Sequence, residues 1–158
     1  MAVSPAHSYG KIIYYSKDGG DTWDALDNTT SDVSINVYEG ERIIFKGEND
    51  SYGTLADYDY YSRFGKGSNS EATYNISGNI LSLFYGDNFK SYSSFPTIDP
   101  SQKMLMSSMF RKTNIYSAEN LILPSNLEEH CFYSLFREST IEIPPKLPST
   151  TLANSCYS

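Results

Sequence analysis

The octapeptide Ser108-Met-Phe-Arg-Lys-Thr-Asn-Ile115 returns as Ser134-Leu-Phe-Arg-Glu-Ser-Thr-Ile141, an offset of 26 (134 − 108) that keeps apolar, small and basic classes nearly position by position. A second pair supports it. Leu123-Pro-Ser-Asn-Leu127 with Cys131-Phe132 reappears as Leu147-Pro-Ser-Thr-Thr-Leu152 with Cys156-Tyr157, one inserted residue explaining the drift. A period of this size lies within the roughly 20 to 29 residues of leucine-rich repeats, where each unit adds a strand and a connecting segment to a solenoid. Such a unit buries its apolar face only against its neighbours, so about three units and a polar cap are normally needed. Cys156-Tyr157-Ser158 aligns with Cys131-Phe132-Tyr133, and the sequence stops before the counterpart of Ser134. The expectation is therefore an array truncated at its C-terminus and continuing elsewhere. The other reading is that another subunit caps the last turn.

The hydrophobic content of 39% and aromatic content of 15% suffice for a folded core. Fourteen Tyr and eight Phe beside a single Trp suit strands and turns, favouring a mostly β protein. A net charge of −7 repels a phosphate backbone, and the twelve Lys and Arg form no run, which speaks against a nucleic-acid partner. No stretch approaches the roughly 18 apolar residues of a membrane span, so membrane insertion is not expected. Met1-Ala-Val-Ser-Pro5 lacks the basic start and apolar stretch of a signal peptide.

Lys11-Ile-Ile-Tyr-Tyr-Ser16 reads as a strand entering a hairpin turn at Asp18-Gly19-Gly20. Residues 31–38 and 42–46 read as a second hairpin about Glu39-Gly-Glu41, and residues 47–70 as a long surface loop. Glu71-Ala-Thr-Tyr-Asn-Ile76 resumes as a strand, and Ile80-Leu-Ser-Leu-Phe-Tyr85 reads as apolar core. The predicted organisation is a small antiparallel β-sandwich or sheet domain over 1–85, a connecting segment over 86–102, and leucine-rich-repeat-like units over 103–158. Within the units, Met109-Phe110 and Leu135-Phe136 are expected to end short helical turns. Glu119–Leu123 and Thr140–Ile143 are expected as strands, stopped by Pro124, Pro144, Pro145 and Pro148.

Ser16-x-Asp18-x-Gly20-x-Thr22-Trp23 matches the Asp-box found on hairpin turns of sialidases and other β-propellers, where it is a structural turn distant from the chemistry. Here it occurs once, so Ser16, Asp18, Gly20 and Trp23 read as a turn, with Asp18 closing it and Trp23 packing beneath. Sialidase chemistry needs an arginine cluster and a Tyr nucleophile beside an acid, and four arginines are poor support. Cys131 and Cys156 hold one place in successive units, roughly 5 Å apart by strand spacing. They are either within disulfide reach or stacked as buried thiols. With only His7 and His130 to help and no Cys-x-x-Cys, no metal site is expected, nor any catalytic centre or cofactor.

Arg111 and Arg137 recur at one repeat position and read as a ligand-facing pair or a solvated ladder. Tyr58, Tyr60 and Tyr61, amid Asp57 and Asp59, read either as a sugar-stacking cluster or as a packed loop.

Phrases spread along the chain resemble one family. Leu147-Pro-Ser-Thr-Thr-Leu-Ala-Asn-Ser-Cys-Tyr-Ser158 and Ser134-Leu-Phe-Arg137 are preceded by Tyr15-Ser-Lys-Asp-Gly-Gly-Asp-Thr-Trp23, Phe45-Lys-Gly47 and Gly78-Asn-Ile-Leu-Ser-Leu-Phe-Tyr-Gly-Asp-Asn-Phe89. Together they resemble the BspA-like leucine-rich repeat proteins of Bacteroidetes and their phages, from about Ile12 onward. The resemblance implies an N-terminal β domain before imperfect repeats, acting in adhesion or recognition at a cell or virion surface, without catalytic residues. The chain departs from the pattern in holding barely two units. The resulting expectation is a non-catalytic recognition or attachment protein, such as a phage virion fibre or decoration component. Its partners would be a surface protein or glycan, within a homo-oligomer or larger assembly. A secreted bacterial adhesin or a carbohydrate-binding module is the alternative.

Overall fold

The computed structural model describes residues 2–5, 11–26, 33–53, 62–65, 71–97, 105–151, 153 and 156. The chain is mostly β, built from small sheets with one short α-helix among the described residues. Strand β1 (Ala2–Pro5) lies between β4 (Val33–Ser34) and β6 (Ser62–Gly65), antiparallel to both. Strand β2 (Ile13–Ser16) lies between β3 (Asp24–Leu26) and β5 (Ile44–Lys46), again antiparallel. Strand β7 (Tyr74–Asn79) runs parallel to β8 (Ile115–Ile122).

Alternation along β2 sorts its side chains. Ile13 is buried opposite Leu26, and Tyr15 packs on the core opposite Phe45. Tyr14 points to the other face, flanked by Ala25 and Lys46. The β2–β3 hairpin forms as the Gly-Gly turn requires. The second expected hairpin does not. Its turn closes, with the Glu41 N–H donating to the Tyr38 carbonyl at 3.1 Å, but β4 joins β1 while β5 joins β2. Local turn chemistry left the partners of those strands open, and burial on two different sheets settled them.

Two other expectations change, and one is filled in. The proposed loop over 47–70 contains β6, whose Phe64 is 4% exposed. The run from Ile80 is the apolar core expected of it, with Ile80, Leu81, Leu83 and Phe84 buried, and it is helical over α1 (Ser82–Tyr85), followed by a 3-10 helix at Gly86–Ser91 within the expected connecting segment. The Asn79 side chain accepts from the Leu81 N–H at 2.9 Å and turns the chain out of the strand. Finally, an antiparallel domain over 1–85 does not describe β7, which pairs in parallel with β8. Residues of both expected parts, from Ile13 to Cys156, share one apolar cluster.

The repeated octapeptides are stacked. Met106, Ser108, Phe110 and Lys112 donate their N–H groups to the carbonyls of Cys131, Tyr133, Leu135 and Arg137, at 2.9 to 3.0 Å. In parallel pairing an N–H meets the residue before its partner. Met106 therefore stacks on Phe132 and Phe110 on Phe136, the same offset of 26 (136 − 110) that the sequence carries. Within each tier the intervening N–H groups bond locally, Arg111 to Ser108 and Leu135 to Phe132, both at 3.0 Å. This alternation gives overlapping turns instead of the expected helical turns. Its cost is a left-handed backbone at Ser108, Lys112, His130, Ser134 and Glu138, with φ between 54° and 59°. Non-glycine residues hold that conformation because both sets of hydrogen bonds require it.

The core of the stack is aromatic. Phe64, Phe110 and Phe136 lie one above another, with successive centroids 5.5 Å apart and planes 15° and 14° from parallel. Phe64 and Tyr52 donate N–H groups to the carbonyls of Met109 and Leu105, placing the β6 region one tier above the first repeat. On the other side β8 begins earlier than expected and buries Ile115, Ala118 and Leu121, a period of three. Register shifts against β7 between Tyr74 and Asn75 and between Asn75 and Ser77 account for the lost alternation. The expected strand at Thr140–Ile143 is reduced to one bridge, Ser117 to Ile143. Pro144 and Pro145, which lack N–H donors, follow it.

Candidate functional site

The turn between β2 and β3 is closed by its own side chains. The Ser16 hydroxyl donates to Asp18 at 2.7 Å and accepts from the Gly20 N–H at 2.8 Å. Thr22 donates twice to Asp18, from its hydroxyl at 2.6 Å and its N–H at 3.0 Å. The Thr22 hydroxyl, the Thr22 N–H and the Ser16 hydroxyl together hold the Asp18 carboxyl well below the usual carboxylate range. Gly19 and Gly20 supply φ values of 82° and 107°. The Trp23 indole N–H donates to the Gly20 carbonyl at 3.0 Å, which fixes the ring against the turn.

That ring forms one wall of an open cleft of about 260 Å³, lined by Tyr14, Trp23, Lys46 and Glu48. The cleft lies on the face of the β3-β2-β5 sheet turned away from Ile13 and Phe45. Tyr14 and Lys46 are cross-strand neighbours, and Ala25, on the other side of Tyr14, adds little bulk. The Lys46 ammonium sits 4.0 Å from the centre of the Trp23 ring and pairs with Asp87 at 2.7 Å. Only Trp23 of these four was among the expected site residues. Tyr14, Lys46 and Glu48 join it through the pairing of β5 with β2, a partner that no residue of Ile44–Lys46 signals.

Arg111 and Arg137 are brought together on the surface of the stack, where they share a carboxylate. The Arg111 guanidinium donates to Glu138 at 2.8 Å, and Arg137 and Lys112 lie 3.5 Å from the same side chain. The Arg111 hydrogen bond is the main cause of a lowered Glu138 carboxyl, with the nearby Lys112 charge adding to it. Arg137 is the more exposed of the two arginines, its side chain 58% accessible against 24% for Arg111. Tyr58, Tyr60 and Tyr61 lie outside the described residues.

Cys131 and Cys156 are both buried free thiols. Burial, with Cys156 close by, pushes the Cys131 thiol up to about 12. Among the described residues, no three His, Cys, Asp or Glu side chains are grouped to hold a metal ion. No helix of the described residues is long and apolar enough to cross a membrane. Comparison with protein-family models, with curated proteins and with solved structures returns no match to this chain.

Proposed function

We propose that the chain is a non-catalytic recognition or attachment protein in which small β sheets are joined to units of a leucine-rich-repeat-like solenoid of the BspA-like kind. It acts at a cell or virion surface, as part of a fibre or decoration, on a protein or glycan partner. The observation that supports this reading is the coincidence of the sequence offset with the stacking register of Phe110 on Phe136. Stacking of equivalent residues generates a surface on which one side-chain type recurs at regular spacing, and such surfaces suit binding. Arg111 and Arg137, gathered about Glu138, are the described instance.

Binding of the labelled full chain to intact Bacteroidetes cells, measured by flow cytometry, tests the reading. Saturable binding is expected, weakened at least about tenfold by Arg137→Glu, on the order expected for losing a charged contact at an interface. Absence of saturable binding, or turnover of glycosides by the purified chain, would overturn it. Removing residues 103–158 is not a usable control, because β8 pairs with β7 and Phe64 donates to Met109.

A further inference from the structure

We infer that the cleft on the outer face of the β3-β2-β5 sheet is a binding site for a single neutral sugar ring of a larger glycan. Its four lining side chains carry the inference. Tyr14 offers aromatic surface, which packs against the C–H face of a pyranose, and Trp23, whose ring carries the Lys46 ammonium on one face, walls the cleft beside it. Lys46 supplies an ammonium donor and Glu48 a carboxylate acceptor, the two functions that a pair of neighbouring hydroxyls needs.

Charge and size narrow the ligand class. An anion meets Glu48, Asp87 and the overall charge of −7, and a cation would have to displace the Lys46 ammonium, which already pairs with Asp87 and covers the Trp23 ring. An apolar ligand would strip water from both charged groups without replacing it, which is costly. A neutral polyhydroxylated ring satisfies both groups and covers the aromatic walls. The volume of about 260 Å³ lies a little below the roughly 300–1,000 Å³ of sites for drug-sized ligands, so one ring fits and a long oligosaccharide extends beyond it.

The walls are also preorganised. Trp23 is tied to Gly20 through its indole nitrogen, and Lys46 is held between the Trp23 ring and Asp87. Little side-chain freedom remains to be lost on binding. The site is independent of the repeat stack and of the function proposed for it, since the two use different residues.

The chain contains one tryptophan, so emission excited at the red edge, beyond tyrosine absorption, reports on Trp23 and this cleft. The full chain is titrated with cellohexaose, laminarihexaose, maltohexaose and N,N′,N″-triacetylchitotriose. A saturable change in emission with at least one of them is expected, with a dissociation constant of about 1 mM, ordinary for a small exposed site. Glu48→Ala and Tyr14→Ala should each weaken binding at least about fivefold while leaving the circular dichroism spectrum unchanged, as loss of a hydrogen-bond partner or an aromatic wall predicts. No saturable change up to about 10 mM of any sugar would refute the site, as would affinity undiminished in both variants. Should Tyr14→Ala disturb the sheet, Glu48→Ala alone decides, because its side chain is exposed.

Discussion

The turn at Asp18 closes on hydrogen bonds spanning two to four residues, whereas the stacked repeats are joined by bonds spanning 25 (131 − 106). The first is complete within itself. A tier of the stack is not, since Met106, Ser108, Phe110 and Lys112 find acceptors for their N–H groups only in the next tier. A self-contained turn fails locally when one member is removed. A stack fails collectively, because each tier supplies the hydrogen-bond partners and the apolar cover of the next.

The sharpest way to break this contrast is to remove the middle ring of the aromatic stack. Phe110→Ala, at a site 6% exposed between Phe64 and Phe136, should cost about 3–5 kcal/mol in urea unfolding. Amide exchange should quicken together at Met106, Ser108 and Lys112. Protection lost at one of these amides alone would show the tiers to be independent.

Gly20→Ala should cost less, about 1–2 kcal/mol, all of it from forcing a side chain onto a backbone with φ of 107°. The added Cβ meets only the Trp23 ring, at an ordinary 3.7 Å. Its effect should appear in the Trp23 emission and leave exchange in the stack unchanged. A loss larger than that of Phe110→Ala would invert the comparison.

Acid probes the turn through its one clamped carboxylate. The Asp18 carboxyl binds its proton less readily in the fold than in the unfolded chain, where it titrates near 3.8. Its contribution is thus fully present above that pH and is lost as pH falls through the lower folded-state value. Carboxyl carbon NMR should place the Asp18 midpoint well below 3.8, and Asp18→Asn should abolish this acid-sensitive step. A midpoint at the ordinary value would mean that the turn is open in solution.

The smallest effect belongs to Arg137→Ala. Exposed ion pairs contribute little, so stability should change by less than about 0.5 kcal/mol even though surface binding drops. A substantial loss of stability would make the Arg111, Arg137 and Glu138 group a structural clamp.

What could be read from the residues divides along the same line. The Asp18 turn was legible because Ser16, Asp18, Gly20 and Thr22 act over a few positions, where spacing alone dictates which groups meet. The repeat offset was legible because Phe110 and Phe136 occupy equivalent places. Phe64 was not, for it stacks on Phe110 without belonging to a repeat, from a stretch whose Gly and Ser neighbours look like a loop. The cleft was equally hidden. Its lining depends on β5 pairing with β2, and nothing in Ile44–Lys46 names that partner.

Turn chemistry, mostly β character and the offset of 26 between units were thus written in the order of the residues. Long-range packing set which strands pair, which tier receives β6, and that Tyr14, Trp23, Lys46 and Glu48 line one cleft. The physical reason is range. Hydrogen bonds within a turn are set by the few residues that make them, while strand partners are chosen by which combination buries the most apolar surface and leaves the fewest N–H groups unsatisfied.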